Sequence, residues 1–146
     1  MGDERMRNRC CRRRAATVVT GLVAVWLSLG ASPAAAAELF ERGKVIEKVV
    51  CRESVDQSYA LYLPASVAPT ARRPVLYLFD PGARGSVAIE KFRPAAEKFG
   101  WILVASNNSR NGPWEPTLKA ARTMWLDSIA RLPIDQARVY AGGFSG

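Results

Sequence analysis

Residues 140–146 read Tyr140-Ala141-Gly142-Gly143-Phe144-Ser145-Gly146, directly after a short apolar run, and Gly143 to Gly146 supply the first four positions of a G-x-S-x-G nucleophile elbow. In such an elbow the serine sits on a sharp strand-to-helix turn. Small neighbours avoid clashes there, and the hydroxyl is presented at the top of a sheet. Ser145 is therefore the candidate catalytic nucleophile. A serine hydroxyl needs a base, usually histidine, to take its proton at neutral pH. The 146 residues contain no histidine. With the order Ser, then Asp/Glu, then His, the expectation is that these residues are the N-terminal part of a longer protein whose acid and histidine follow residue 146. The expectation for residues 38–146 alone is catalytic silence.

Positioning such a serine requires a strand before it and a sheet around that strand. Gly43 to Val50 and Ser58 to Leu63 are rich in β-branched, Tyr and Leu residues and read as neighbouring strands joined by the polar stretch Arg52 to Gln57. Pro64 to Arg73 is a proline-spaced loop. Val75 to Phe79, Trp101 to Ala105 and Ala137 to Ala141 are short runs suited to strands covered on both faces. Between them, Ser86 to Phe99 has helical period, with Ala88, Phe92, Ala95, Ala96 and Phe99 on one side, Ser86 as N-cap and Gly100 as the stop. Pro116 to Leu132 repeats that period through Leu118, Ala121, Trp125 and Ile129. Two strands followed by strand-helix-strand-helix-strand predict an α/β fold with a mostly parallel sheet, helices on both faces and right-handed crossovers, truncated at the elbow. Residues 38–146 read as the N-terminal portion of a single domain.

The N-terminus has a different logic. Arg5, Arg7, Arg9, Arg12, Arg13 and Arg14 precede a charge-free run from Ala15 to Leu29, and Ala35-Ala36-Ala37 offers a small-residue cleavage site before Glu38. Basic head, apolar middle and small-residue exit make residues 1–37 a signal peptide, with a secreted or periplasmic destination and no stable membrane anchor once it is cut. Arg12-Arg13-Arg14 also invites a twin-arginine reading, which an ordinary export signal satisfies equally. Removing this segment lowers the formal net charge from +8 to +4. No remaining basic cluster is interleaved with aromatics, so a nucleic-acid partner is not expected. Cys51 becomes the lone cysteine, either paired with a residue elsewhere or buried as a free thiol.

This order and the elbow resemble the α/β-hydrolase superfamily, and within it the secreted esterases and depolymerases related to polyhydroxybutyrate depolymerases, feruloyl esterases and dienelactone hydrolases. The resemblance rests on Tyr59-Ala60-Leu61-Tyr62-Leu63-Pro64, on Pro74-Val75-Leu76-Tyr77-Leu78-Phe79-Asp80-Pro81-Gly82, and on Gly142 to Gly146. It implies a carboxylic ester hydrolase acting through an acyl-serine on a small-molecule or polymer ester. A non-catalytic binding module of the same fold and a secreted serine peptidase remain open alternatives. It also implies an oxyanion hole made by the N–H of Gly146 and one from the loop Asp80 to Gly85, where Gly82 and Ala83 are the candidates and Pro81 has no N–H. Many relatives carry a His-Gly-Gly-type sequence where this chain has Asp80-Pro81. Asp80 reads as turn-forming and Arg84 as a loop arginine. The loop Ser106 to Trp114 belongs at the carboxyl rim of a parallel sheet, so Asn107, Asn108 and Trp114 are candidate substrate contacts. Asn107-Asn108-Ser109 also fits a glycosylation sequon. Trp101 and Trp125 fall inside elements and read as core. With no zinc-type ligand cluster, no P-loop and no G-x-G-x-x-G, neither a metal nor a cofactor is expected.

Overall fold

The computed structural model describes residues 40–144; Met1 to Leu39, with the signal-peptide segment 1–37, and Ser145 and Gly146 lie outside the described residues. The elements run β1 (Val45–Cys51), β2 (Ser54–Tyr62), β3 (Arg73–Phe79), α1 (Gly85–Phe99), β4 (Ile102–Ser106), α2 (Trp114–Arg131) and β5 (Ile134–Gly143). This is the predicted order. The strands form a five-stranded sheet in the order β1-β2-β4-β3-β5. None of the helices among the described residues is long and apolar enough to cross a membrane.

The sheet is mixed, which corrects the expectation of a mostly parallel one. β1–β2 and β2–β4 pair antiparallel, whereas β3–β4 and β3–β5 pair parallel. Tyr59 to Leu63 is buried throughout, like the parallel strands, because β2 sits inside the sheet with a neighbour on each side. Burial on both faces produces an apolar run in either strand direction. The direction of β2 is set by its hairpin with β1, in which Cys51 pairs with Ser54 across Arg52 and Glu53. The connection is thus a tight turn rather than the whole of Arg52 to Gln57. Val55 to Gln57 fall in the register shift between the Cys51–Ser54 and Val50–Ser58 pairs, and Val55 is 84% exposed.

Alternation along β2 assigns its residues to two cores. Tyr59 and Leu61 join Val75, Tyr77, Ile102, Val104 and Met124 of α2 on one face; Ala60 and Tyr62 join Leu78, Leu103, Ala105 and Ile89 of α1 on the other. The chain steps from β3 to β4 through α1, then back across β3 to β5 through α2. Two right-handed crossovers running in opposite directions place their helices on opposite faces. That is the observed arrangement.

Three tyrosine hydroxyls tie the helices to the sheet. Tyr59 donates to Asp127 Oδ2 at 2.8 Å, Tyr77 pairs with Ser128 Oγ at 2.8 Å, and Tyr62 donates to Glu97 Oε2 at 2.6 Å. Burial is the main reason that the Tyr59 and Tyr77 hydroxyls titrate far above their ordinary value, Tyr77 at about 12. Asp127 also accepts from the Arg52 N–H at 2.9 Å and from Arg131 at 2.9 Å. Glu97 holds the N–H groups of Ala65 and Ser66, closing the proline-rich loop onto α1.

These polar anchors displace the helical faces expected from apolar period alone. The buried face of α2 is Ala120, Met124, Asp127 and Ser128; Trp125 is 48% exposed and Leu118 is also exposed, so Trp125 is not core. Small residues let the α2 backbone approach the sheet, and the tyrosines satisfy the buried carboxylate and hydroxyl. On α1 the buried residues are Gly85, Ala88, Ile89 and Ala96, with Phe92 and Phe99 exposed beside the half-buried Trp101, which stacks on Tyr140 at 5.0 Å. The helix starts at Gly85 rather than being capped by Ser86. A Cβ at residue 85 would lie 2.4 Å from Asn107 Oδ1 and 2.8 Å from the Ala105 carbonyl, so a glycine opens the helix where it presses on β4. Gly100 adopts a left-handed conformation and ends it, as expected. Cys51 is buried and has no disulfide partner among the described residues, and burial pushes its pKa up to about 11.

Candidate active site

In a parallel pair, loops leaving the carboxyl ends of adjacent strands converge on one rim, and helix N-termini point there. β3 exits through Asp80, β4 through Asn107 and β5 through Phe144. The three exits frame a cleft of about 480 Å³. Its walls are Phe79 to Pro81, Ser109 to Trp114, the first turns of α2 at Thr117, Leu118 and Ala121, and the end of β5 from Ala141 to Phe144. The last described residue, Phe144, lies on this wall and donates its N–H to the Phe79 carbonyl at 3.3 Å. Gly143 suits that approach, since a Cβ there would stand 3.3 Å from the same carbonyl. Ser145 and Gly146 follow Phe144 in sequence and lie outside the described residues.

The loop after β3 is organised around one carboxylate. The Asp80 side chain, 3% exposed, accepts the Gly82 N–H at 2.9 Å and two bonds from Arg84, at 2.9 Å from Nε and 3.1 Å from the terminal nitrogen. The Ala83 N–H donates to the Asp80 carbonyl at 3.0 Å, with Ala83 at a φ of 57°. Asp80 is thus a turn-forming aspartate, as its sequence context suggested. The Arg84 guanidinium, more than any other group, holds its carboxyl down at about 2. Both N–H groups proposed for an oxyanion hole, those of Gly82 and Ala83, are engaged within the turn. The turn is stitched to the opposite wall by a Gly82–Arg110 bridge and by the Asn111 N–H to Pro81 carbonyl bond at 3.1 Å.

The three candidate substrate contacts separate. Trp114 opens α2, is 68% exposed and lines the cleft. Asn107 and Asn108 do not line it. Asn107 donates its amide to the Glu47 carbonyl at 2.9 Å, while Asn108 accepts the Ser58 N–H at 2.8 Å and donates to the Asp56 carbonyl at 3.0 Å. Both asparagines brace the β4 exit against the β1–β2 hairpin, which lies beside it because β2 runs antiparallel to β4. Ser106 Oγ completes that turn by accepting the N–H groups of Asn108 and Ser109. The cleft residues that sequence reasoning missed, among them Phe79, Arg110 and Leu118, are legible only by position, as the residues beside strand exits on one rim.

No protein-family model matches the chain, and no curated protein matches it. Similar solved structures include a thermophilic esterase, Est2, of the planctomycete Thermogutta terrifontis: 25% identical, TM-score 0.48, covering 68% of this chain and 40% of that one. A propionate-bound form of that esterase is 24% identical, with TM-score 0.47 and coverages of 68% and 41%. The form phosphoramylated by tabun is 25% identical, with TM-score 0.47 and coverages of 72% and 44%. The chain therefore spans less than half the length of these structural neighbours. Their TM-scores lie below 0.5; the α/β architecture is that of the strand order and crossovers of this chain.

Proposed function

We propose that this chain carries the nucleophile of a secreted carboxylic ester hydrolase, a serine hydrolase in which Ser145 forms an acyl-serine intermediate. The observation that supports it best is that Ser145 and Gly146 follow directly in sequence on Phe144, which comes just after β5 and borders the cleft between the β3 and β4 exits. In this reading Ser145 Oγ attacks the ester carbonyl and its proton passes to a base. The C–O bond to the alcohol breaks and the alcohol leaves with that proton. Water then cleaves the acyl-serine, releasing the acid and restoring the hydroxyl. The chain has no histidine, so in this reading the base and its orienting acid come from outside these 146 residues. The Gly146 N–H is the first oxyanion donor. Gly82 or Ala83 can serve as the second only by sharing or releasing its bond to Asp80. The apolar wall of Phe79, Leu118 and Phe144, with Trp114 at its edge, suits the acyl or alcohol part of a small ester or of a polymer ester.

The test uses the full-length protein and 4-nitrophenyl butyrate. Ser145→Ala should lower kcat/KM by at least about 1,000-fold, and a fluorophosphonate should label the wild type and not the variant. Wild-type turnover by the alanine variant would remove Ser145 from the mechanism. We also propose that residues 1–37 direct export and are removed, so that Edman sequencing of the exported protein starts within two residues of Glu38. A mature chain starting at Met1 would contradict this.

A further inference from the structure

The charges around the cleft are unbalanced. Asp80 is the acidic residue on its wall, and its carboxylate is already taken by a bidentate pair with Arg84 and by the Gly82 N–H. Arg110 lines the same cleft and is exposed, and among the described residues its guanidinium enters no hydrogen bond or ion pair. Its backbone is nevertheless fixed: Arg110 bridges Gly82 across the cleft and its carbonyl accepts Thr117 Oγ1 at 3.2 Å. Lys91 lies outside the cleft's lining, with its Nζ 5.3 Å from the centre of the Phe144 ring. The N-terminus of α2 opens at Trp114 on this rim, with Glu115 as the acid of its first turn. An apolar cleft with a buried, neutralised carboxylate and an uncommitted guanidinium on a pinned backbone is complementary to an apolar ligand bearing one negative charge.

We propose that Arg110 is a specificity-determining residue, selecting esters that carry a second, free carboxylate. The inference rests on the ester-hydrolase reading and deepens it. A guanidinium meets a carboxylate through two parallel N–H donors, which a neutral ester of the same length cannot use. The sequence offers Arg84 and Arg110 in the two loops of this rim, and the structure separates their roles: Arg84 is consumed by the turn, and Arg110 is free to bind.

The experiment compares the mono(4-nitrophenyl) ester of glutaric acid with 4-nitrophenyl butyrate on the full-length protein, as the ratio of their kcat/KM values. Taking the ratio cancels any general effect of a substitution on folding or on the chemical step. Arg110→Gln should lower the anionic-to-neutral ratio about fivefold, and Arg110→Lys should keep part of it. The wild-type ratio should also fall as salt rises from 0.05 to about 0.5 M. A ratio equal within about twofold in wild type and Arg110→Gln would overturn the assignment. In parallel, monomethyl glutarate and methyl butyrate are titrated against the same proteins by tryptophan fluorescence. If the wild type hydrolyses neither ester, the ester-hydrolase reading fails, and the titration still decides the role of Arg110. Binding of monomethyl glutarate that weakens about fivefold in Arg110→Gln, with no matching change for methyl butyrate, supports it, and equal binding by both proteins refutes it.

Discussion

Asp80 shows how one side chain can define a loop. Asp80-Pro81-Gly82 reads as a turn in the sequence, and the Asp80 carboxylate closes that turn by accepting the Gly82 N–H and two bonds from Arg84. Chiefly through Arg84, the folded state holds the Asp80 pKa at about 2, below the ordinary 3.8. The folded protein therefore favours the ionised form. That stabilisation is complete above the ordinary value and is lost as the pH falls through about 2. Asp80→Asn should accordingly lower the urea midpoint at pH 7, measured by circular dichroism. The gap between variant and wild type should narrow from about pH 4 downward. A gap that is constant down to pH 2 would mean that the ionised carboxylate does not hold the turn.

At the scale of elements, α2 is attached to the sheet by chemistry more than by its apolar stripe. Asp127 lies under Tyr59, the Arg52 N–H and Arg131, and the side chains of Asp127 and Arg131 are only 6% and 13% exposed. Arg131 also packs over the Phe40 ring at 4.8 Å, joining the start of the described chain to the same cluster. Removing one member of such a buried pair strands the other. Asp127→Ala should therefore cost about 3 kcal/mol, measured by equilibrium urea unfolding. Tyr59→Phe, which deletes one hydroxyl and leaves the ring, should cost about 1 kcal/mol. Equal losses from the two would show that the carboxylate is not the hub.

For the molecule as a whole, the distribution of apolar surface is uneven. The centre of the sheet, β2, β4 and β3, is covered on both faces, whereas β5 pairs with β3 alone among the described strands and exposes Val139 and Tyr140, with Phe144 exposed just after it. Phe92 and Phe99 of α1 form an apolar groove beside Trp101 on the same side. An open strand of ten residues, Ile134–Gly143, next to exposed aromatics is a template for pairing with other chains. Residues 38–146 produced on their own should therefore associate. Light scattering should show a mass that rises with concentration, and amide exchange should be slowest in β2 and β4 and fastest in β5. A monodisperse monomer with β5 amides as protected as those of β2 would refute this.

Local sequence determined the order of elements, because each depends on period and punctuation within a dozen residues: the apolar runs of β3 and β4, the helical spacing of α1, Gly100 at its end. It also singled out Ser145, since a strand followed by Gly-Gly-Phe-Ser-Gly needs no distant partner to be recognised. What depends on partners far along the chain was settled only by folding. The direction of β2 came from its hairpin with β1, the inward face of α2 from tyrosines 68 and 51 residues away, and the bracing role of Asn107 and Asn108 from the β1–β2 hairpin beside β4. Arg84 and Arg110 look alike as loop arginines. The difference between them, one bound by a carboxylate four residues back and the other left at the cleft, is a matter of which groups the β3 and β4 exits bring within hydrogen-bonding distance.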